Sequence, residues 1–278
     1  MAMCVACERG RFAKSNGTGN VCPPCQPGRF AAEGATICNA CAAGTFADVN
    51  GTSRCRACAV GRVSKAGATA CKACGWGTVD ADKKPSTPCV TCGAGNFSGV
   101  GATACVRCAV GRASNITTGA KPTDCVTCKA GAYAKAGATA CADCVAGKYD
   151  DDADPGTRCQ PCGEGKVSKA KAKACDACPA GFADADKNAS TPCTKCGAGN
   201  VSEASSVKCT PCVAGRADHD NNASTLCKVC PAGKHAGLGV TNCTACDVGR
   251  SDHDSDPATA CASCVIIASR ACIVFAVA

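Results

Sequence analysis

At 278 residues the chain could fill one or two ordinary domains, but its composition does not supply their interiors. The 46% hydrophobic share rests on Ala and Cys; Leu occurs only at Leu226 and Leu238, and aromatics are 3%. The net charge of +8 is spread thinly, without a Lys/Arg block or interleaved aromatics, which argues against a nucleic-acid-binding face. Because burial stabilises by only ~25 cal/mol per Å² of apolar area, an Ala-rich interior offsets little chain entropy. Cys, at 33 of 278 residues, exceeds the ~8–10% that marks a disulfide scaffold.

Met1-Ala-Met-Cys4 leads directly into the first C-x-x-C pair, with no room for the apolar run of a secretory leader. The chain is therefore expected to begin within a longer gene product, or to have a misassigned start. From Cys4 to Cys264 it is a succession of C-x-x-C pairs, starting at Cys4, Cys22, Cys38, Cys55, Cys71, Cys89 and onward to Cys261. Only Cys272 stands outside a pair. Steps of 16 alternate with longer ones around 18, a doublet of about 34 residues that marks a repeat array rather than one core. Helical repeats of that period need large apolar residues at helical spacing, whereas the stretches between pairs are rich in Gly, Pro, Asn and Asp.

Three residues after the second Cys of each of the first fifteen pairs comes a Gly: Gly10, Gly28, Gly44, Gly61, and so on to Gly249. One offset filled identically in every copy implies one backbone need, either positive φ or a close chain approach. Two residues later lies the bulky slot of many copies, with Phe12, Phe30, Phe46, Phe97, Tyr133 and Tyr149. Gly-x-Phe is read as a turn into a short strand whose aromatic covers a disulfide. The expected fold is small, disulfide-rich and mostly loop, with short β-hairpins in an elongated, solenoid-like tandem array over residues 4–264. Residues 265–278 form an apolar tail with an internal Arg, shorter than the ~20 residues of a membrane helix. A truncated span, a lipid-anchor signal or a gene artefact would each account for it, so membrane attachment stays open.

The cysteines admit two chemistries. C-x2-C-x12-C-x2-C suits a four-thiolate zinc site, which makes an intracellular zinc-binding array the competing reading. Half of the intervals are not constant, however, and no basic reading surface accompanies them, so disulfides in an oxidising compartment are preferred. A cross-link closing a ~15-residue loop contributes roughly 3 kcal/mol in the chain-entropy model. Connectivity has three options: a crossed pattern phased from Cys4, the same phased from Cys22, or a running pattern beginning Cys7–Cys22 and Cys25–Cys38. The first leaves fewest thiols unpaired. It comprises Cys4–Cys22, Cys7–Cys25, Cys38–Cys55, Cys41–Cys58, Cys71–Cys89, Cys74–Cys92, Cys105–Cys125 and Cys108–Cys128. It continues with Cys141–Cys159, Cys144–Cys162, Cys175–Cys193, Cys178–Cys196, Cys209–Cys227, Cys212–Cys230, Cys243–Cys261 and Cys246–Cys264.

The unit C-x-x-C-x-x-G-x-[FY]…G-A-T-x-C-x-x-C, as in Cys22–Cys41 and Cys125–Cys144, resembles the ephrin-receptor-like cysteine-rich repeat. More broadly it is similar to the modules of growth-factor and TNF receptors. The resemblance implies extracellular disulfide ladders in receptor ectodomains and surface proteins, with a protein or glycan ligand. The chain shows no kinase and no separate ligand-binding domain; cysteine-rich surface antigens of protists are a comparable case.

The longer stretches carry alternating acids that place oxygen ligands as calcium loops do: Asp184, Asp186 and Asn188; Asp218, Asp220 and Asn222; Asp252, Asp254 and Asp256. The Gly and bidentate Glu of an EF-hand are missing, and Asx-turns on a solvated loop are the simpler reading. Glycosylation sequons stand at Asn16, Asn50, Asn96, Asn115, Asn188, Asn200, Asn222 and Asn242. A basic residue follows the module Gly at Arg11, Arg29, Arg62, Arg112, Lys148, Lys166, Arg216, Lys234 and Arg250. Stacked, these would form a stripe for acidic glycans; pairing with the acidic loops is preferred. No nucleophile or acid–base constellation recurs, so the expectation is a non-catalytic structural, adhesive or receptor-like binding segment.

Overall fold

A computed structural model describes residues 6–15, 20–252, 254–267 and 271–273. The described residues form two-stranded antiparallel hairpins with one short 3₁₀ turn, Pro122–Asp124. One hairpin pairs Thr45–Phe46 with Arg56–Ala57, and the next pairs Arg62–Val63 with Lys72–Ala73. The first strand follows the module Gly; the second is the x-x of the next C-x-x-C pair. In the tail, Val265–Ile267 pairs with Ala271–Ile273. The chain divides into two units. One is Met1–Lys129 with Tyr133–Ala142 and Pro155–Thr157; the other is Ala130–Ala132, Asp143–Asp154 and Arg158–Ala278.

The cysteine pairing differs from the crossed expectation. The second Cys of each pair bonds the first Cys of the next: Cys7–Cys22, Cys25–Cys38, Cys41–Cys55, Cys58–Cys71, and so on to Cys246–Cys261. The crossed bridges Cys4–Cys22, Cys7–Cys25, Cys38–Cys55, Cys41–Cys58, Cys71–Cys89, Cys74–Cys92, Cys105–Cys125 and Cys108–Cys128 are replaced. So are Cys141–Cys159, Cys144–Cys162, Cys175–Cys193, Cys178–Cys196, Cys209–Cys227, Cys212–Cys230, Cys243–Cys261 and Cys246–Cys264. Hairpin register is the reason. Cys41 donates its N–H to Gly28 O and Cys58 to Gly44 O, which sets the second Cys of each pair at the end of a closed ladder. The Cys that leads into the first strand and the Cys that leads into the second then lie 5.5–5.8 Å apart at Cα, within disulfide reach. Each bridge thus closes one module. We number the modules 1 to 15 by these bridges, from Cys7–Cys22 to Cys246–Cys261. Cys264 is also disulfide-bonded; Cys4 lies outside the described residues.

Adjacent modules are joined by main-chain hydrogen bonds at one residue, three positions after the module Gly. Ala47 N donates to Ala68 O in the next module, and Ala47 O accepts from Gly28 N in the preceding one. Along the chain the position is Ala13, Ala31, Ala47, Ser64, Asp80, Ser98, Ser114, Ala134, Asp150, Ser168, Asp184, Ser202, Asp218, Ala236 and Asp252. Ala, Ser and Asp are the only types used. Most of these residues are buried, Ala31 and Asp80 almost completely.

Contacts also reach the module after next. A Cβ built on Gly61 would sit 2.0 Å from Gly101 O, and one on Gly165 would sit 1.9 Å from Ser205 O. The same glycines hold φ of 82° and 72°, a region that costs an L-residue roughly 1–2 kcal/mol. The two alternatives offered for the repeated Gly, positive φ and close approach, are therefore both realised at one residue. The core is this seam of sulfur, small side chains and peptide groups, not a cluster of large apolar residues: Val60, Val110 and Leu226 are exposed.

Candidate functional site

The acidic loops resolve into two kinds of aspartate with opposite duties. The first of each series turns inward. Asp80, Asp150, Asp184 and Asp218 are buried. Their carboxylates accept the module-Gly N–H of the preceding module: Gly61 to Asp80 at 2.9 Å, Gly131 to Asp150 at 2.8 Å, Gly165 to Asp184 at 3.1 Å and Gly199 to Asp218 at 2.9 Å. Asp252, half-buried, does the same for Gly233 at 3.3 Å. At the other junctions the Gly N–H goes to a main-chain carbonyl. Where Ser holds the position its hydroxyl donates backwards, as Ser98 does to Thr78 O and Ser202 to Phe182 O. Asp and Ser therefore serve two neighbouring groups of the preceding module: Asp accepts the module-Gly N–H, and Ser donates to the carbonyl one residue later, each of which would cost roughly 1–3 kcal/mol if left buried and unpaired.

The second aspartate turns outward into an Asx-turn. Asp186 accepts from Asn188 N and Thr191 Oγ1, and Asp220 from Asn222 N and Thr225 Oγ1. Asp254 likewise accepts from Asp256 N and Thr259 Oγ1. Bonds from these backbone amides, then the threonine hydroxyls, hold Asp82 and Asp186 below the usual carboxylate pKa; for Asp220 the amide of Asn222 leads. Asn188 and Asn222 cap the following Ser190 and Ser224 amides through Oδ1. The oxygens expected as calcium ligands are thus engaged in ordering their own loops and junctions. Asp150, Asp151 and Asp152 do bring carboxylates within 4.8 Å of one another, an exposed cluster apart from its first member.

Four thiolates do not converge as a zinc site requires. In the stretch from Cys22 to Cys41, Cys25 bonds Cys38 while Cys22 and Cys41 bond outward to Cys7 and Cys55. The basic residue after the module Gly has a structural use that sequence reasoning missed. Arg11 donates to Cys22 O at 2.7 Å, Arg29 to Cys38 O at 2.9 Å and Arg216 to Cys227 O at 3.1 Å, each clamping its own hairpin. The ion pairs seen use other side chains, among them Lys171–Asp143 and Lys187–Glu164. Phe46 faces its cross-strand partner Arg56, whose guanidinium lies 4.7 Å from the ring centre.

The sequons divide as well. Asn50, Asn115, Asn188, Asn222 and Asn242 are exposed. Asn96 and Asn200 have their amides tied to two carbonyls each: Cys92 and Ala94, and Gly197 and Ala198. Asn16 lies outside the described residues.

Concave surface is shallow. A groove of about 570 Å³ runs over Val63–Ala70 between Ala43 and Ser86–Pro88. Its counterpart of about 330 Å³ runs over Val167–Ala170 between Ala146 and Ser190–Pro192. Two histidines contact sulfur: His219 Nε2 lies 3.4 Å from Cys243 Sγ, and His235 Nδ1 lies 3.2 Å from Cys261 Sγ. Among the described residues no helix is long and apolar enough to cross a membrane.

The fold and its junctions define a disulfide-stapled tandem-repeat protein of small β-hairpin modules. No family model and no curated protein matches the chain.

Proposed function

We propose that the chain is a non-catalytic structural or ligand-binding segment of an extracellular or cell-surface protein, working in the manner of ephrin-receptor-like and TNF-receptor-like cysteine-rich repeats. The observation that carries this reading is the running series of fifteen bridges among the described residues, one per numbered module. Such a series persists only in an oxidising compartment. The buried carboxylates and hydroxyls support it further, since they serve main-chain amides and carbonyls and so build a scaffold. What a partner meets is then the outward face: Asx loops, exposed arginines, Ala-lined grooves and exposed valines. A protein or glycan ligand suits such a face.

The test combines thiol counting, metal analysis and circular dichroism on protein purified from a secreting host. The reading expects almost no free thiol, no stoichiometric zinc, and loss of structure on reduction but not on chelation. Stoichiometric zinc with collapse under a chelator would replace it with an intracellular zinc array.

A further inference from the structure

The chain has only three histidines, at 219, 235 and 253. Two of them contact disulfide sulfurs, each reaching from one module onto the bridge of the next: His219 on Cys230–Cys243 and His235 on Cys246–Cys261. His235 occupies the slot that Phe and Tyr fill in other modules. An imidazole there offers a departing sulfur something no phenyl ring does, an N–H for the developing thiolate. Thiol–disulfide exchange is faster the more stable the leaving thiolate, and a neighbouring imidazole is a recurrent way of stabilising one.

We propose that Cys246–Cys261 is a thiol-exchange site, the position where this otherwise inert ladder forms a mixed disulfide with an external thiol. The thiolate of a small or peptidyl thiol attacks Sγ of Cys246, which is half-exposed, whereas Cys261 is 6% exposed. A Cys246–S–S–R bond forms and the Cys246–Cys261 bond breaks. The electron pair leaves on Cys261 Sγ, where His235 Nδ1–H donates to it. Nothing else is consumed, and return of Cys261 to Cys246 expels the thiol again. Cys230–Cys243 is the second site and a slower one: Cys243 leaves toward His219, but the sulfur to be attacked belongs to Cys230, which is 5% exposed. The inference goes beyond the scaffold role and adds a covalent modification to it.

Accessibility alone makes a different forecast, which renders the proposal testable. Cys105 and Cys141 are exposed members of their bridges and lack a histidine. The full oxidised chain is treated briefly with limiting reduced glutathione, quenched with an alkylating agent and mapped by peptide mass. The expected first products are glutathione on Cys246 with alkyl on Cys261, followed by the Cys230–Cys243 pair. His235→Gln slows adduct formation at Cys246 by roughly tenfold, on the scale by which leaving-thiol stabilisation sets such rates, and leaves Cys230–Cys243 unchanged. His219→Gln does the converse. A variant that merely loosened the fold would speed exchange at several bridges, so a slower rate confined to one bridge is not a folding effect. First adducts at Cys105 or Cys141, or an unaltered rate in His235→Gln, would overturn the proposal.

Discussion

The first thirteen modules and the last two share one sequence pattern but not one environment. In modules 1 to 13, from Gly10 to Gly215, a Cβ on the module Gly would meet backbone two modules ahead at 1.8–3.0 Å. In modules 14 and 15 no described residue would come within 4 Å of a Cβ on Gly233 or Gly249. Their φ values, 77° and 84°, remain positive. The turn alone therefore asks for Gly, and the close approach is an added demand, made where backbone two modules ahead packs against it. That separates a module's own conformation from the cost of stacking it. In a solenoid, stability is approximately the sum of the same two terms.

Substitution breaks this comparison most sharply. Gly165→Ala should destabilise its surroundings by about 3 kcal/mol or more, combining left-handed strain with a clash against Ser205 O. Gly233→Ala should cost only about 1 kcal/mol, from strain alone. Amide hydrogen exchange across neighbouring modules, with all bridges intact, reads both. Equal costs would mean that the stacking contact is not made.

Next in size is the buried acceptor. Asp184→Ala removes the carboxylate that accepts Gly165 N–H beneath a 3% exposed position; the amide must turn to the main-chain carbonyl used at Ala junctions such as Gly28 to Ala47, and the loss of the charge-assisted bond should cost about 1–2 kcal/mol. Asp252→Ala, at a half-buried terminal position with a longer bond, should cost less. A smaller change of opposite sign is expected at Ser205. It holds φ of 63° where equivalent loops use Gly101 and Gly137, so Ser205→Gly should stabilise by up to about 1 kcal/mol. Thermal unfolding compared with the parent checks that sign.

The smallest effect is electrostatic. Asp82, Asp186 and Asp220 are held below their ordinary pKa in the folded chain. Their contribution is present above the unfolded value, near 3.8, and is lost as pH falls through the folded one. The Asx-turn amides of Lys84, Asn188 and Asn222 should lose protection in that acid window. The junction amides of Gly61, Gly165 and Gly199 should be followed in the same titration as the internal comparison.

Much of this architecture was legible in the residues. The doublet period follows from the alternating C-x-x-C steps, and the hairpin modules from Gly10 to Gly249 recurring at one offset; whether that Gly answers to positive φ or to a close approach is open in the sequence, and the structure shows both. The connectivity was not, because C-x-x-C spacing is the same for crossed and running bridges. The choice between them is made by hairpin register, through bonds such as Cys41 N to Gly28 O, which spacing does not encode. The junction residue was overlooked although its signal was present: the third position after each Gly holds only Ala, Ser or Asp. Reading D-x-D as one ligand set obscured it. In Asp184-Ala-Asp186 the first carboxylate enters the seam and the second closes a turn. The clamp from Arg216 to Cys227 O was hidden because a cation that serves a carbonyl leaves no charge partner in the sequence.

The central claim is that each hairpin is closed by its own bridge. Protease digestion of the unreduced chain at low pH, where thiol exchange is suppressed, followed by mass mapping tests it most directly. The account predicts peptides joined through Cys25–Cys38, Cys41–Cys55 and Cys58–Cys71. Peptides joined through Cys38–Cys55 together with Cys41–Cys58 would contradict it.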